Sequence, residues 1–146
     1  MVAPPPRWYK LNFDGASHGN PGQSGIGCII NNEKGKWIIK RAKNINPTSN
    51  NLAEIEALQE GIKLCHKIGL TKVIIEGDSQ IVLNTLRKRS TPNWVLNSKL
   101  EEILSLIDKL EVYQITHIFR QGNQIANELA NLGVDGSDIL RIKNFS

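Results

Sequence analysis

The segment Thr71 to Glu76 constrains the fold most. It is short, apolar and rich in β-branched residues, with Val73, Ile74 and Ile75 in succession. A run without polar alternation reads as a central strand covered on both faces. Such a strand needs apolar layers above and below it, and the chain supplies helical patterns on either side. Ahead of it, Ile55, Leu58, Ile62 and Cys65 recur at three- and four-residue steps. They predict an amphipathic helix that opens at Pro47-Thr48-Ser49-Asn50-Asn51, runs to about His66 and is stopped by Gly69. Behind it, Gly77-Asp78-Ser79 ends the strand and a short helix follows to about Leu86. Trp94 reads as a loop residue, and Leu96, Leu100, Ile103, Leu104, Ile107 and Leu110 define a further amphipathic helix.

The N-terminal third has a different period. Trp8 to Phe13 alternates apolar and polar residues and ends at the turn pair Asp14-Gly15. Gly19-Asn20-Pro21-Gly22 is a dense turn cluster, Gly25 to Ile30 a short buried strand, Asn31 to Gly35 a hairpin turn, and Trp37 to Ala42 the returning strand. Near the other end, Glu111 to Arg120 is the last strand. Gln121-Gly122-Asn123 then turns into a helix carrying Ile125, Ala126, Leu129 and Ala130, ended by Gly133. The order β-β-β-α-β-α-α-β-α predicts an α/β fold, a mixed sheet with helices on its faces. Ala3-Pro4-Pro5-Pro6 places residues 1–7 in a linker, residues 8–133 form the expected domain, and residues 134–146 read as a loose C-terminal tail.

At 146 residues the chain fits one domain. No apolar run approaches the roughly 20 residues that span a membrane, and Met1 to Pro6 lacks the apolar region of a signal peptide. The expectation is a soluble, intracellular protein of cytoplasm or nucleus, monomeric as an isolated domain. Cys28 and Cys65 lie alone among apolar residues and read as small buried side chains, since a zinc site needs about four ligands in close pairs. Lys and Arg number 18 against 14 Asp and Glu, a net charge of +4 that suits a polyanionic partner without requiring one. The clusters Lys34 to Lys43 and Arg87-Lys88-Arg89 are, on composition alone, solvated faces.

Three acids stand out by position. Asp14 ends the first strand, Asp78 ends the fourth, and Glu54 lies in the first turns of the first long helix. If strands one and four are neighbours, both aspartates emerge at the edge where open α/β sheets bind ligands. Gathered carboxylates repel one another unless a cation sits between them. A hard, octahedral Mg²⁺ suits oxygen ligands, and two such ions about 4 Å apart can activate a water and stabilise a leaving oxygen at a phosphodiester. Each acid also has a plain structural role open to it: Asp14 in an Asp-Gly turn, Asp78 as a helix cap, Glu54 favouring a helix dipole.

Four blocks resemble the ribonuclease H family, in that family's order: Phe13 to Gly22 (FDGASHGNPG), Thr48 to Ile55 (TSNNLAEI), Glu76 to Val82 (EGDSQIV) and Asn123 to Ala130 (NQIANELA). With the element order they cover about Trp8 to Gly133. Arg7 to Asp14 and Phe119-Arg120-Gln121-Gly122-Asn123 resemble the plant domains of this family found in retroelement reverse transcriptase proteins. The resemblance implies a five-stranded mixed sheet in the order 3-2-1-4-5. It implies endonucleolytic hydrolysis of the RNA strand of RNA/DNA hybrids with Mg²⁺ or Mn²⁺, two ions being present with substrate, in a larger retroelement polyprotein. Asp14, Glu54 and Asp78 match three of the family's four metal-site acids. The fourth catalytic and metal position falls on Asn127, an amide without charge, which implies weaker binding of one metal and slower cleavage with hybrid binding retained. Gly15, Ser17, Asn20, Asn50, Asn51, Ser79 and Arg120 are the expected hybrid-binding residues. Gly19 and Gly22 would let backbone approach the RNA closely.

The chain departs from the family elsewhere too. The histidine-bearing loop before the last helix is replaced by Arg120-Gln121-Gly122, and the basic protrusion of bacterial members is missing. His18 reads as a surface histidine and His117 as structural. Neither Glu128 nor Asp135 is placed to replace the missing acid, unless Asp135 or Asp138 folds back. Two further readings stay open: a catalytically impaired domain that binds nucleic acid or protein, favoured by Asn127, and a DNA-resolving nuclease of the same architecture.

Overall fold

The computed structural model describes residues 6–143. Most of the expected linker therefore lies outside the described residues. Six strands and four α-helices follow in the order β1 (Tyr9–Gly19), β2 (Gly22–Asn31), β3 (Trp37–Thr48), α1 (Asn50–Lys67), β4 (Lys72–Gly77), α2 (Gln80–Lys88), α3 (Trp94–Ile107), β5 (Val112–His117), α4 (Gln124–Val134) and β6 (Ile139–Ile142). They form one sheet ordered β5-β4-β1-β2-β3-β6. β1, β2 and β3 pair antiparallel, whereas β4 pairs parallel with both β1 and β5. The expected five-strand order is present, with a sixth strand added at the β3 edge. Among the described residues, no helix is long and apolar enough to cross a membrane.

Alternation along β1 sorts the two faces. Leu11 and Phe13 point into the main core, with Ile55, Leu58 and Ile62 of α1, Val73 and Ile75 of β4, and Leu100 and Ile103 of α3. Cys28 and Cys65 are free and buried in this core, and Cys28 Sγ donates to the Ala57 carbonyl at 3.1 Å. Burial pushes both thiols up, Cys65 to about 12, so neither is a ready nucleophile. The opposite face carries α4 over a smaller cluster of Ile29, Ala42 and Leu129.

α4 lies directly on β2. A Cβ at Gly27 would overlap the Ala126 carbonyl and the Ala130 amide, and one at Gly25 would overlap the Val134 amide. Bare backbone on β2 therefore sets how closely α4, with Asn127 on it, approaches the sheet.

Several boundaries differ from the sequence expectation. β1 does not end at Asp14 but continues to Gly19, because β2 pairs with it along its whole length, down to Gly19 opposite Gly22. Pro47 and Thr48 belong to β3, and α1 starts only after Ser49, whose Oγ accepts from Leu52 N–H at 3.3 Å. Trp94 is the first residue of α3, not a loop residue, since Asn93 Oδ1 accepts from Val95 and Leu96 N–H. Gly133 lies inside α4.

The expected loose tail instead carries β6, which pairs antiparallel with β3. Arg41 on β3 links the residue before β6, Asp138, to Glu60 of α1 by two salt bridges, and Lys40 and Lys143 sit 4.6 and 4.2 Å from the Trp37 ring centroid.

Close backbone contact between α4 and β2 has a measurable consequence. Gly27→Ala is expected to overpack this interface and lower stability by roughly 1–3 kcal/mol. Urea unfolding followed by circular dichroism measures it, and an unchanged midpoint counts against the contact.

Candidate active site

The register of two parallel strands places the first two acids. The last β1–β4 rung pairs Asn12 with Glu76. Asp14 and Asp78 each lie two residues further on, so they stand opposite each other where the ladder has ended. Asp78 follows the end of β4, and Ser79 then caps α2 by accepting from Val82 N–H at 3.3 Å.

Glu54 arrives from α1. A Cβ at Gly15 would overlap the backbone of Ala53 and Glu54. The missing side chain thus lets the second turn of α1 rest on β1 and brings Glu54 beside Asp14. Oxygens of Asp14, Glu54 and Asp78 all lie within 4.8 Å of one another. They line a cleft of about 310 Å³ with Asn127, Asn131, His18 and Arg120.

Electrostatics at this corner are unfavourable without a cation. Burial first, then the hydrogen bond and charge of Asp14, then the charge of Asp78, raise the Glu54 carboxyl well above the usual 4.5, while the Gly15 N–H pulls the other way. Burial first and the Asp14 charge second raise Asp78 above 3.8. The Asn123 hydrogen bond and the charges of Arg120 and His117 oppose that rise. Glu54 is buried, and its Oε2 has no hydrogen-bond partner. A buried carboxylate oxygen left unpaired costs free energy. A hard divalent cation among three carboxylates would satisfy it and cancel the repulsion, so the residues present fit such an ion.

α4 presents a row of amides to the site. Asn123, Asn127 and Asn131 recur at four-residue steps and share one helix face. Asn127 Nδ2 donates to Asp14 Oδ2 at 2.8 Å, so the expected fourth ligand reaches the corner through its NH₂ group. Asn131 Nδ2 donates to the Asn127 backbone carbonyl at 3.0 Å, and Asn131 Oδ1 is 3.1 Å from His18 Nε2. His18 is exposed, as expected of a surface histidine, and it also lines the cleft.

Asn123 is 2 % exposed and donates to the Phe13 carbonyl at 3.0 Å and to Asp78 Oδ2 at 3.3 Å. Its Oδ1 accepts from Asn12 Nδ2, which also donates to Glu76 Oε2 at 2.8 Å. A buried polar layer of Asn12, Glu76 and Asn123 thus underlies the acids. Sequence reading missed the roles of Asn123 and Asn131, although the four-residue spacing around Asn127 was a visible signal.

The expected hybrid-binding residues divide. Gly15, Ser17, Asn50 and Arg120 line the cleft, whereas Asn20, Asn51 and Ser79 do not. Ser17 Oγ is already committed to the Thr48 carbonyl at 2.7 Å and to the Gly19 carbonyl. Asn20 Oδ1 accepts from the Asn50 N–H at 3.0 Å, joining the β1–β2 turn to the start of α1. Asn51 is exposed on the first turn of α1. Gly19 has φ +94°, and a Cβ at Gly22 would strike the His18 carbonyl, so both glycines are required by the hairpin itself.

His117 Nε2 faces the Asp78 carbonyl at 3.3 Å, in keeping with a structural role. Glu128 and Asp135 are exposed, and Asp138 is paired with Arg41 at the far edge, so none replaces the missing acid.

Comparison with known proteins agrees with this architecture. The sequence-family model described as Reverse transcriptase-like matches residues 12–133. The "Putative ribonuclease H protein" of Arabidopsis thaliana is 28% identical over 130 residues, covering 89% of this chain and 21% of that protein. Ribonuclease HI of Halobacterium salinarum is 31% identical over 128 residues, 84% of this chain and 62% of that protein. The crystal structure of RNase H1 from that archaeon superposes with a TM-score of 0.85, at 30% identity over 89% of this chain and 99% of that one. LC11-RNase H1, isolated from compost by a metagenomic approach and solved in complex with RNA/DNA hybrid, gives a TM-score of 0.82 at 28% identity over 87% of this chain and 96% of that chain. The chain thus spans about a fifth of the plant relative and under two thirds of the archaeal one. With residues 12–133 matched by one family model and the fold superposing on these RNase H1 structures, the chain belongs to the reverse transcriptase-like family of ribonuclease H domains.

Proposed function

We propose that this domain hydrolyses the RNA strand of RNA/DNA hybrids, endonucleolytically and with Mg²⁺ or Mn²⁺. The observation that carries the proposal is the buried, unpartnered Glu54 Oε2 within a cluster of three carboxylates. Family membership and the hybrid complex of LC11-RNase H1 support the substrate class. Asp14, Glu54 and Asp78 would hold the metal. A divalent ion there supplies Lewis-acid polarisation of the phosphodiester and a lowered pKa for the attacking water.

The chain's own residues do the positioning. β1 and β4 fix Asp14 and Asp78 on rigid backbone, and Asn123 steadies the Asp78 carboxylate from beneath. Arg120 offers a guanidinium at the cleft wall where a scissile phosphate would be neutralised. Asn50 offers a polar side chain at the same wall. Phosphate contacts made by so few cations predict hybrid binding that weakens as salt rises. Placement of this domain in a larger reverse transcriptase polyprotein is also part of the proposal, supported by the small share of the plant relative that it spans.

Labelled RNA/DNA hybrid, RNA duplex and DNA duplex incubated with Mg²⁺ or Mn²⁺ test the proposal. Only the hybrid should be cut, leaving 3′-hydroxyl and 5′-phosphate ends, and Asp14→Asn should abolish the products. Tight hybrid binding without cleavage would instead favour a binding-only domain, the reading that the uncharged Asn127 supports. Asn127→Asp should raise the Mg²⁺-dependent rate by about tenfold or more, equivalent to ~1.4 kcal/mol of barrier, with hybrid affinity little changed. Equal rates would remove the case for attenuation.

The raised carboxyls set the pH dependence of the metal-free protein. A carboxyl raised by folding contributes stability that is fully present below its unfolded value and is lost as pH rises through the folded value. Those unfolded values are near 4.5 for Glu54 and 3.8 for Asp78. The metal-free melting temperature should therefore fall as pH rises from about 4 through the raised range. Mg²⁺ or Mn²⁺ should restore it most at the upper end, where the acids are ionised. Differential scanning fluorimetry across that range, with and without EDTA, checks this, and a metal-induced shift that is the same at low and high pH contradicts it.

A further inference from the structure

We infer that the fourth corner of the site is a fixed hydrogen-bond donor to Asp14, locked by Asn131 and His18, and that it gives no oxygen to a metal ion. The inference rests on the proposed carboxylate metal site and concerns how many ions that site accepts. The direction of the amide chain is forced from its ends. A carboxylate only accepts, so the Asn127 atom 2.8 Å from Asp14 Oδ2 is its NH₂. A backbone carbonyl also only accepts, so the Asn131 atom 3.0 Å from the Asn127 carbonyl is again its NH₂. The same NH₂ lies 3.3 Å from Asn127 Oδ1, so the two side-chain amides are complementary. Asn131 Oδ1 is left to accept from His18 Nε2 at 3.1 Å, which assigns the His18 proton to Nε2.

Turning the Asn127 carbonyl inward would undo this chain at two points. Its NH₂ would face the Asn131 NH₂, donor against donor, and Asp14 Oδ2 would lose its donor. Both losses oppose rotation, and the second involves a charged acceptor, the stronger kind of bond. Asp14, Glu54 and Asp78 are then the whole ligand set, enough for one hard cation. A second ion beside Asp14 would meet an N–H group at the place where it needs an oxygen.

The test counts ions on the full chain without nucleic acid. Mn²⁺ is titrated calorimetrically and its spin coupling is followed by electron paramagnetic resonance. The wild-type chain should bind one Mn²⁺, and Asn127→Asp should take up a second, spin-coupled ion. Asn131→Leu removes the NH₂ facing Asn127 Oδ1, frees the amide to turn, and should tighten Mn²⁺ binding about fivefold, the worth of one hydrogen bond. Two ions on the wild-type chain, or the same count in wild type and Asn127→Asp, overturns the inference. Unchanged affinity in a folded Asn131→Leu overturns the lock; if that variant does not fold, the ion count in Asn127→Asp decides alone. Asp14→Asn separates the two levels. Should it bind Mn²⁺ as wild type does, the carboxylate site itself is wrong. Should it lose Mn²⁺ while Asn127→Asp behaves as wild type, only the present inference falls.

Discussion

Parallel pairing of β1 with β4 is the constraint on which the rest of this structure depends. Its last rung, Asn12 opposite Glu76, determines that Asp14 and Asp78 leave the ladder side by side. A slip of one residue would turn Asp14 to the α1 face and bury it against the apolar side chains there. The register is held from both sides. Leu11, Phe13, Val73 and Ile75 lock it into the main core, and on the α4 face Asn12 and Glu76 are joined by a 2.8 Å hydrogen bond. Thr116 on β5 extends the same polar layer by donating to Glu76 Oε1 at 3.1 Å.

That polar layer explains how repelling acids are tolerated on a rigid sheet. Buried polar groups hold a structure only when they are mutually satisfied. Glu76 accepts from Asn12 and Thr116 and lies 3.8 Å from Lys10 Nζ, while Asn123 bridges Asn12 to Asp78. One side of the site is therefore a connected hydrogen-bond network, in which Asn12 Oδ1 is the one member oxygen left without a partner. The cleft side has the unpaired Glu54 Oε2, and its deficit is of the kind a cation removes.

How much of this was legible in the sequence follows from which interactions are local. β4 was legible because its β-branched run has no helical reading, and the carboxylates because each stands next to a turn or cap signal. The end of β1 was not, because its length past Asp14 is set by pairing with β2 across a hairpin, 13 residues away at the Asp14–Gly27 level and beyond local propensity. β6 was hidden for a similar reason. Four residues at a sheet edge carry little pattern, and what holds them is Arg41, 97 residues away in sequence from its Asp138 partner. Ser17 and Ser79 are expected as hybrid contacts from the family resemblance alone. In the structure each hydroxyl bonds backbone, Ser17 Oγ the Thr48 carbonyl of β3 and Ser79 Oγ the Val82 N–H of α2. Asn131 shows the opposite case, where the helical spacing was visible but its meaning depended on a partner, His18, 113 residues away in sequence.

The fourth corner shows two physical demands pulling apart. An acid at position 127 would supply a metal oxygen, but in the metal-free fold it would add a negative charge beside Asp14, where the site already pushes Glu54 and Asp78 upward. An amide of nearly the same shape reverses that effect. Its NH₂ gives Asp14 a donor at 2.8 Å and its carbonyl is taken by Asn131, so every polar atom of the side chain is used within the protein. The corner is thereby preorganised for the metal-free state and made less adaptable toward an additional cation. One chemical demand remains at the carboxylates. Glu54 Oε2, on the α1 side, is buried without a hydrogen-bond partner, and an ion held by Asp14, Glu54 and Asp78 together would meet that demand.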